Sequence, residues 1–199
     1  MINVERQDDK LLLLLNRTDK ANAINTQMLE MLVAGVSGAS ARLLMISNEG
    51  SVFSAGADLD EVENNDLATS PLWEELSGAV AAFPGLSVAA LNGTAAGGSL
   101  GMVLACDVRI AKPGSEAFYP VMRLGHLPQP SDVGRLSALV GPAKAKMMLM
   151  GGARLSDQEA LAAGLWDRID DQPIQAAMAL AKDVLAAPDG HAEAVKALF

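Results

Sequence analysis

Cysteine, aromatic side chains and positive charge are all scarce in this sequence, and each shortage removes a class of explanation. Cys106 is the single cysteine among 199 residues, so no intramolecular disulfide can form, and the usage fits a reducing compartment. It falls in the apolar run LGMVLACD and reads as a small core residue. Aromatics make up 4% of a chain that is 50% hydrophobic, so the core must be built from aliphatic side chains that let helices and strands approach closely. Fifteen basic against 24 acidic residues give a net charge of −9, which argues against general nucleic-acid binding. Any anionic ligand must be met by a local cluster. The run LLLLL at 11–15 is far short of the roughly 20 apolar residues a membrane helix needs. MINVERQDDK lacks the basic-then-apolar order of a signal peptide, so a cytoplasmic chain with no membrane partner is expected. Neither a Cys/His metal spacing nor a Walker-type phosphate loop is present, and no metal or nucleoside triphosphate site is expected.

What is present is enough apolar surface for one domain of about 100–200 residues. Residues 11–15 read as a buried strand, and Asn25 or Thr26 can cap a helix carrying Met28, Leu29, Met31, Leu32 and Val36. RLLMIS at 42–47 reads as the next strand. Residues 51–62 begin as a strand fragment that breaks at Ala55-Gly56-Ala57-Asp58, and 63–70 read as a mobile loop. A helix follows Pro71, then an apolar strand at 86–93, a buried helix after TAAGG, and a strand at 108–112. Ser131 or Asp132 can cap a helix reaching Leu139, another starts at Pro142, and Ser156 with Glu159 forms a capping-box pattern. Residues 166–170 read as a strand, and 173–186 and 189–198 as helices. Strands alternating with helices indicate an α/β architecture, although periodicity leaves its topology open.

Two glycine turns, SAGAD at 54–58 and NGTAAGGSLG at 92–101, each fall where an apolar strand gives way to small residues. Both can expose backbone N–H groups, the second at the positive end of a helix dipole, and together they can hold an anionic oxygen. The same glycines equally suit tight turns and close helix–sheet packing.

The order of NRTDKANAIN, FSAGADL, the N-G turn with AAGG, ACDVRIA, RLGHLP and the later MGG and ALAAGL pieces resembles the enoyl-CoA hydratase/isomerase, or crotonase, family over residues 11–169. The resemblance implies a crotonase-like fold of the Clp protease/crotonase type, built from repeated ββα units. It implies a core domain over 1–172 and a short C-terminal helical region over 173–199. The implied partner is an acyl-CoA thioester and the implied assembly a homotrimer or a pair of trimers. Coenzyme A enters as part of the substrate, with no tightly bound cofactor. By position, the N–H groups of Ala57 and Gly98 match the oxyanion donors. The backbone around Lys20, Ala21 and Ala23 matches the nucleotide-binding loop, and Ala55 and Asp58 follow the pantetheine arm. Arg17 and Lys20 would offset negative charge near the phosphates, although on charge alone they also suit a solvated turn.

The chain departs from the family pattern at the two positions where hydratases carry proton-transferring glutamates. They match Gly101 and, allowing a one-residue gap, Val121. Nearby ionisable residues are His126, Asp132, Tyr119 and Glu116. Asp132 is the leading acid/base candidate, against an N-cap role, and His126 the second, against that of a hydrogen-bonded loop residue. Asp58 and Asp107 are expected to brace turns, with Glu61 and Glu63 weaker candidates. The missing glutamates also leave open a catalytically silent acyl-CoA-binding or assembly subunit. A third alternative is a serine hydrolase using Ser99 and His126 with Asp170 or Asp171.

Overall fold

The computed structural model describes all 199 residues. The chain opens with an antiparallel hairpin of β1 (Ile2–Gln7) and β2 (Lys10–Leu15), turning at Asp8, whose φ is 50°. Next come α1 (Thr26–Val36), β3 (Leu43–Asn48), β4 (Val52–Ser54), α2 (Leu59–Asn64) and α3 (Leu72–Ala81). The middle of the chain holds β5 (Leu86–Leu91), β6 (Thr94–Ala96), α4 (Ser99–Ala105), β7 (Val108–Ala111), β8 (Ala117–Phe118) and α5 (Val121–Leu124). Then follow α6 (Pro130–Val140), α7 (Pro142–Leu149), β9 (Arg154–Leu155), α8 (Asp157–Ala163) and β10 (Arg168–Ile169). The last helices are α9 (Pro173–Leu180), α10 (Lys182–Ala186) and α11 (His191–Lys196). No helix is long and apolar enough to cross a membrane.

Strands β3, β5 and β7 lie side by side in a six-stranded sheet of order β1-β2-β3-β5-β7-β10, parallel except for β1. Their sequence followers β4, β6 and β8 lie side by side in a second sheet that ends in β9. Each consecutive strand pair thus contributes one strand to each sheet before a helix follows, which is the repeated ββα unit of a crotonase-like fold. The apolar runs are continuous because the large sheet is covered on both faces. One face joins the main core, with Leu44, Ile46 and Ala89 packed in one cluster with Met28, Leu76 and Leu100 from the helices. The other, with Met45, Val88 and Ile110, meets Ala176, Ala177 and Ala181, whose small side chains let α9 lie close to the sheet.

Side-chain amides hold the strand ends in register. Asn48 Oδ1 accepts from Asn92 N at 2.9 Å, its Nδ2 donates to Val52 O at 3.0 Å, and Asn92 Nδ2 donates to Gly50 O at 2.7 Å. Gly93 follows directly, and a Cβ there would stand 1.9 Å from Ser51 O, so only glycine lets the second turn pass so close to the first repeat. Residues 173–199 lie against this body. Arg42 donates to Leu185 O and Ala187 O at 2.8 and 2.7 Å and pairs with Asp189, while Lys196 Nζ lies 2.8 Å from Asp107.

Residues 2–7 carry no assignment in the sequence reading, and three local expectations are corrected. The charged N-terminal residues form β1, an edge strand in which only Ile2 is buried and the charges face solvent. Residues 63–70 are anchored rather than a mobile loop. Asp58 accepts from Asp60 N to cap α2, and a 3-10 turn at Leu67–Thr69 buries Leu67, whose carbonyl accepts from Trp73 Nε1 at 2.9 Å. Helix α6 starts at Pro130, as suits a proline in a first turn, so neither Ser131 nor Asp132 is its N-cap. The predicted helix over 173–186 is two helices meeting at Ala181.

Candidate active site

The nucleotide-loop segment and the first glycine turn are sewn together by short polar side chains. Asn22, buried and left-handed at φ 53°, donates from Nδ2 to Glu49 O and Val52 O at 2.9 and 2.8 Å and accepts from Arg17 N at 2.7 Å. Ser54 Oγ donates to Asn22 O at 2.7 Å and accepts from Gly56 N at 3.1 Å. Backbone bonds from Ala55 N to Ala21 O, Ile24 N to Gly56 O and Asp58 N to Ile24 O, at 2.8–3.0 Å, complete the lacing.

Arg17 lies inside this seam. Its Nη1 contacts Asp58 Oδ2 at 2.5 Å and donates to Ala23 O at 2.9 Å. Burial pushes the Asp58 carboxyl up, but the Arg17 hydrogen bond and charge, with the N–H groups of Asp60 and Glu61, outweigh it and hold its pKa below the usual range. Asp58 therefore braces the turn. Arg17 and Ala21 do not line the adjacent cavity, whereas Lys20, Ala23, Ala55 and Asp58 do. Lys20 is exposed, with Nζ 3.7 Å from Asp60. Replacing Arg17 with Met would leave the Asp58 carboxylate enclosed without its partner, and we expect a loss of about 3 kcal/mol in chemical denaturation at neutral pH. Because the pKa is depressed in the fold, this contribution is present above the unfolded value and fades as pH falls through the folded one; a neutral-pH stability equal to wild type would refute the bracing role.

The two glycine turns touch. Gly56 takes φ +98°, and a Cβ on it would stand 2.8 Å from Ala96 O and 3.5 Å from Gly97 Cα. Gly97 is left-handed at φ +55°, and Gly98 rests against the indole of Trp73, where a Cβ would meet ring carbons at 3.2 Å. The residues following this contact are Ala57 and Gly98. Both line one cavity of about 500 Å³, and neither N–H donates to a protein acceptor.

Asp132 forms part of the same cavity wall from α6. It is fully buried, and its Oδ2 accepts from Tyr119 OH at 3.0 Å while Oδ1 has no hydrogen-bond partner. A Cβ built on Gly101 would lie 2.9 Å from Oδ1, so the carboxylate fills the space that a side chain at 101 would take. Burial raises its pKa; the Tyr119 hydrogen bond opposes the rise, Glu74 adds to it and Arg135 opposes it, leaving a value of about 6. Tyr119, also buried on the cavity wall, is held well above its ordinary value by burial and by the neighbouring carboxylate. Behind them Glu74 Oε1 accepts from Ser131 N and Oγ at 3.1 and 2.9 Å, and Arg135 donates to Ser131 Oγ at 2.7 Å.

The other ionisable candidates divide cleanly. His126 is exposed on the cavity wall, near the half-buried and non-ionisable Val121. Glu116 pairs on the surface with Arg154 at 2.6 Å, and Asp107 accepts from Ser87 N and Oγ at 2.8 and 2.9 Å. Glu61 accepts from Thr26 N and Oγ at 2.8 and 2.6 Å, tying α2 to the start of α1, and Glu63 is exposed. Ser99 is fully buried, donates to Ala96 O at 2.8 Å and does not line the cavity holding His126. Asp170 is bound to Arg168 at 2.5 Å, and neither it nor Asp171 lines that cavity. The serine, histidine and aspartate are therefore not assembled. Sequence reasoning missed Asn22, Glu74 and Arg135 as supports; Asn22 stands in the NRTDKANAIN segment, which could have pointed to it, whereas only the long-range packing brings Glu74 and Arg135 to the site.

These features define a crotonase-fold chain with a cavity between two glycine turns. The fold is shared with solved structures of Pseudomonas aeruginosa DspI, at TM-score 0.88 and 29% identity over 99% of this chain and 85% of that one. An enoyl-CoA hydratase/carnithine racemase from Magnetospirillum magneticum aligns at TM-score 0.87 and 25% identity, covering 99% and 79%. The 2,3-dehydroadipyl-CoA hydratase of Escherichia coli K12 is 36% identical over 172 residues, 81% of this chain and 66% of that protein. Human mitochondrial enoyl-CoA hydratase domain-containing protein 2 is 34% identical over 188 residues, 87% of this chain and 64% of its own. Residues 6–199 match the sequence model of the enoyl-CoA hydratase/isomerase family, and the chain belongs to that family.

Proposed function

We propose that the protein is an enzyme acting on acyl-CoA thioesters, that it moves a proton at the carbon next to the thioester carbonyl, and that Asp132 is its acid/base. The observation that carries this reading is one cavity whose lining residues include Ala57 and Gly98, neither of whose N–H groups has a protein acceptor, and Asp132, a buried carboxyl with one unpartnered oxygen. Lifting a proton from C2 places negative charge on the thioester oxygen, and fixed donors stabilise that charge more in the transition state than in the ground state. Coenzyme A would run past Ala55 and Asp58 towards Lys20 and Ala23, with no other cofactor required.

The reaction this set favours is double-bond migration. For a 3-enoyl thioester, Asp132 takes a proton from C2, and the C–H electron pair forms the enolate. The enolate then collapses with the double bond moving to C2–C3, and Asp132 returns the proton to C4. One carboxyl serves both ends, whereas water addition asks one group to activate water and another to protonate carbon. The names of the relatives carry a second reading, hydration. The exchange of C2 protons of 3-butenoyl-CoA in D₂O, followed by NMR, tests the proposal. Formation of crotonyl-CoA is expected, with deuterium delivered to C4 where the proton on Asp132 has exchanged with solvent, and deuterium at C2 of the starting thioester where the enolate is reprotonated there. Binding with neither migration nor exchange would overturn it in favour of a silent acyl-CoA-binding subunit, and conversion of crotonyl-CoA to 3-hydroxybutyryl-CoA with no migration would establish the hydratase. The reading includes a cytoplasmic homotrimer or pair of trimers, which light scattering of the purified protein tests.

A further inference from the structure

Resting on Asp132 as the acid/base, we infer that Tyr119 and Gly101 are positioning residues that select Oδ1 of Asp132 as the oxygen that exchanges the proton. Tyr119 OH donates to Oδ2 at 3.0 Å, so that oxygen is engaged by a donor. Oδ1 is buried without any partner, an arrangement that proteins ordinarily avoid because an enclosed polar atom loses its water without compensation. The space around Oδ1 exists because residue 101 has no side chain: a Cβ there would stand 2.9 Å from Oδ1, 3.5 Å from Oδ2 and 3.6 Å from Cγ.

Conformation does not explain this glycine. Gly101 lies inside α4 with a negative φ, where alanine would form helix better. It contributes room, and the room is filled by the carboxylate of another helix. The N–H of Gly101 donates to Gly98 O at 3.1 Å, so the residue against which Oδ1 packs lies within one turn of α4 from Gly98. That proximity along α4 brings the carboxyl and the Gly98 turn to one cavity. The groups acting on the carboxyl are the neutral Tyr119 hydroxyl and the charges of Glu74 from α3 and Arg135 from its own helix, with His126 and Arg123 on the cavity wall; α4 itself offers none.

The experiment uses the full chain, C2 exchange of 3-butenoyl-CoA, butyryl-CoA binding, and NMR titration of ¹³C-labelled aspartate. Tyr119→Phe removes one hydroxyl and leaves the packing. Its Asp132 titration and its rate profile are expected to move upward by about one pH unit, giving about tenfold slower exchange below pH 6 and recovery near pH 8. Gly101→Ala pushes the carboxylate aside and is expected to lower kcat about 100-fold, with butyryl-CoA affinity retained. Asp132→Asn separates the two readings. If it exchanges at the wild-type rate, the acid/base assignment falls and this inference with it. If it is inactive while Tyr119→Phe keeps the wild-type profile, or Gly101→Ala the wild-type kcat, only the selection of Oδ1 is overturned.

Discussion

Asp132→Asn is expected to lower C2 proton exchange about 10²–10⁴-fold, the usual range for loss of a positioned acid/base, while butyryl-CoA still binds. The carboxamide keeps the shape and can still accept from Tyr119, so the loss reports proton transfer and not collapse of the cavity. Its thermodynamic counterpart is as informative. Burial holds the Asp132 carboxyl at about 6 against an ordinary 3.8, so the folded protein binds this proton more tightly than the unfolded chain. Stability from this group is complete below the lower value and is lost as pH rises through the upper one, in total about 3 kcal/mol. The variant lacks that dependence. Denaturation at about pH 4.5 and about pH 8 should therefore show wild type losing about 2 kcal/mol relative to Asp132→Asn as pH rises. A pH-independent difference would mean that the carboxyl is not held in the protonated form by the fold.

The second large effect concerns atoms that side-chain substitution does not reach. Replacing Ala57 with lactic acid, which turns its amide into an ester, deletes one N–H and leaves the methyl side chain in place. We expect kcat to fall about 10²–10³-fold with little change in KM, because the lost donor acts chiefly on charge that develops in the transition state. An equal rise in KM with kcat preserved would place the Ala57 amide in ground-state binding instead. That N–H has no internal acceptor to lose; the structural cost is confined to the Gly56 carbonyl, a weaker acceptor as an ester for Ile24 N at 2.8 Å, and a denaturation measurement on the same variant separates that cost from the loss of kcat.

Much of this machinery was legible one segment at a time. The two glycine turns stand out because strand-like runs end abruptly in residues without bulk, and their contact through Gly56 and Gly97 gives that pattern its reason. The capping box at Ser156 and Glu159 and the cap by Asn25 are local signals that formed as the spacing predicts. Arg17 illustrates the opposite case. As a charge in a turn it reads equally as a phosphate ligand or as solvated, and only a partner 41 residues away, Asp58, reveals its engagement. Asp132 likewise reads either as an acid/base or as a cap, because the helix start is local while Tyr119 and Gly101 reach it from elsewhere in the fold.

The sequence by itself determined the alternation of elements, the aliphatic core, the glycine turns and the family, since each depends on neighbouring residues or on motif order. Only the tertiary structure decided which charges are spent on one another and which carboxyl faces the space left by Gly101. Those outcomes depend on distances between segments remote in the chain, and at such sites burial and partners, not residue type, set whether an ionisable group braces the fold or remains available for chemistry.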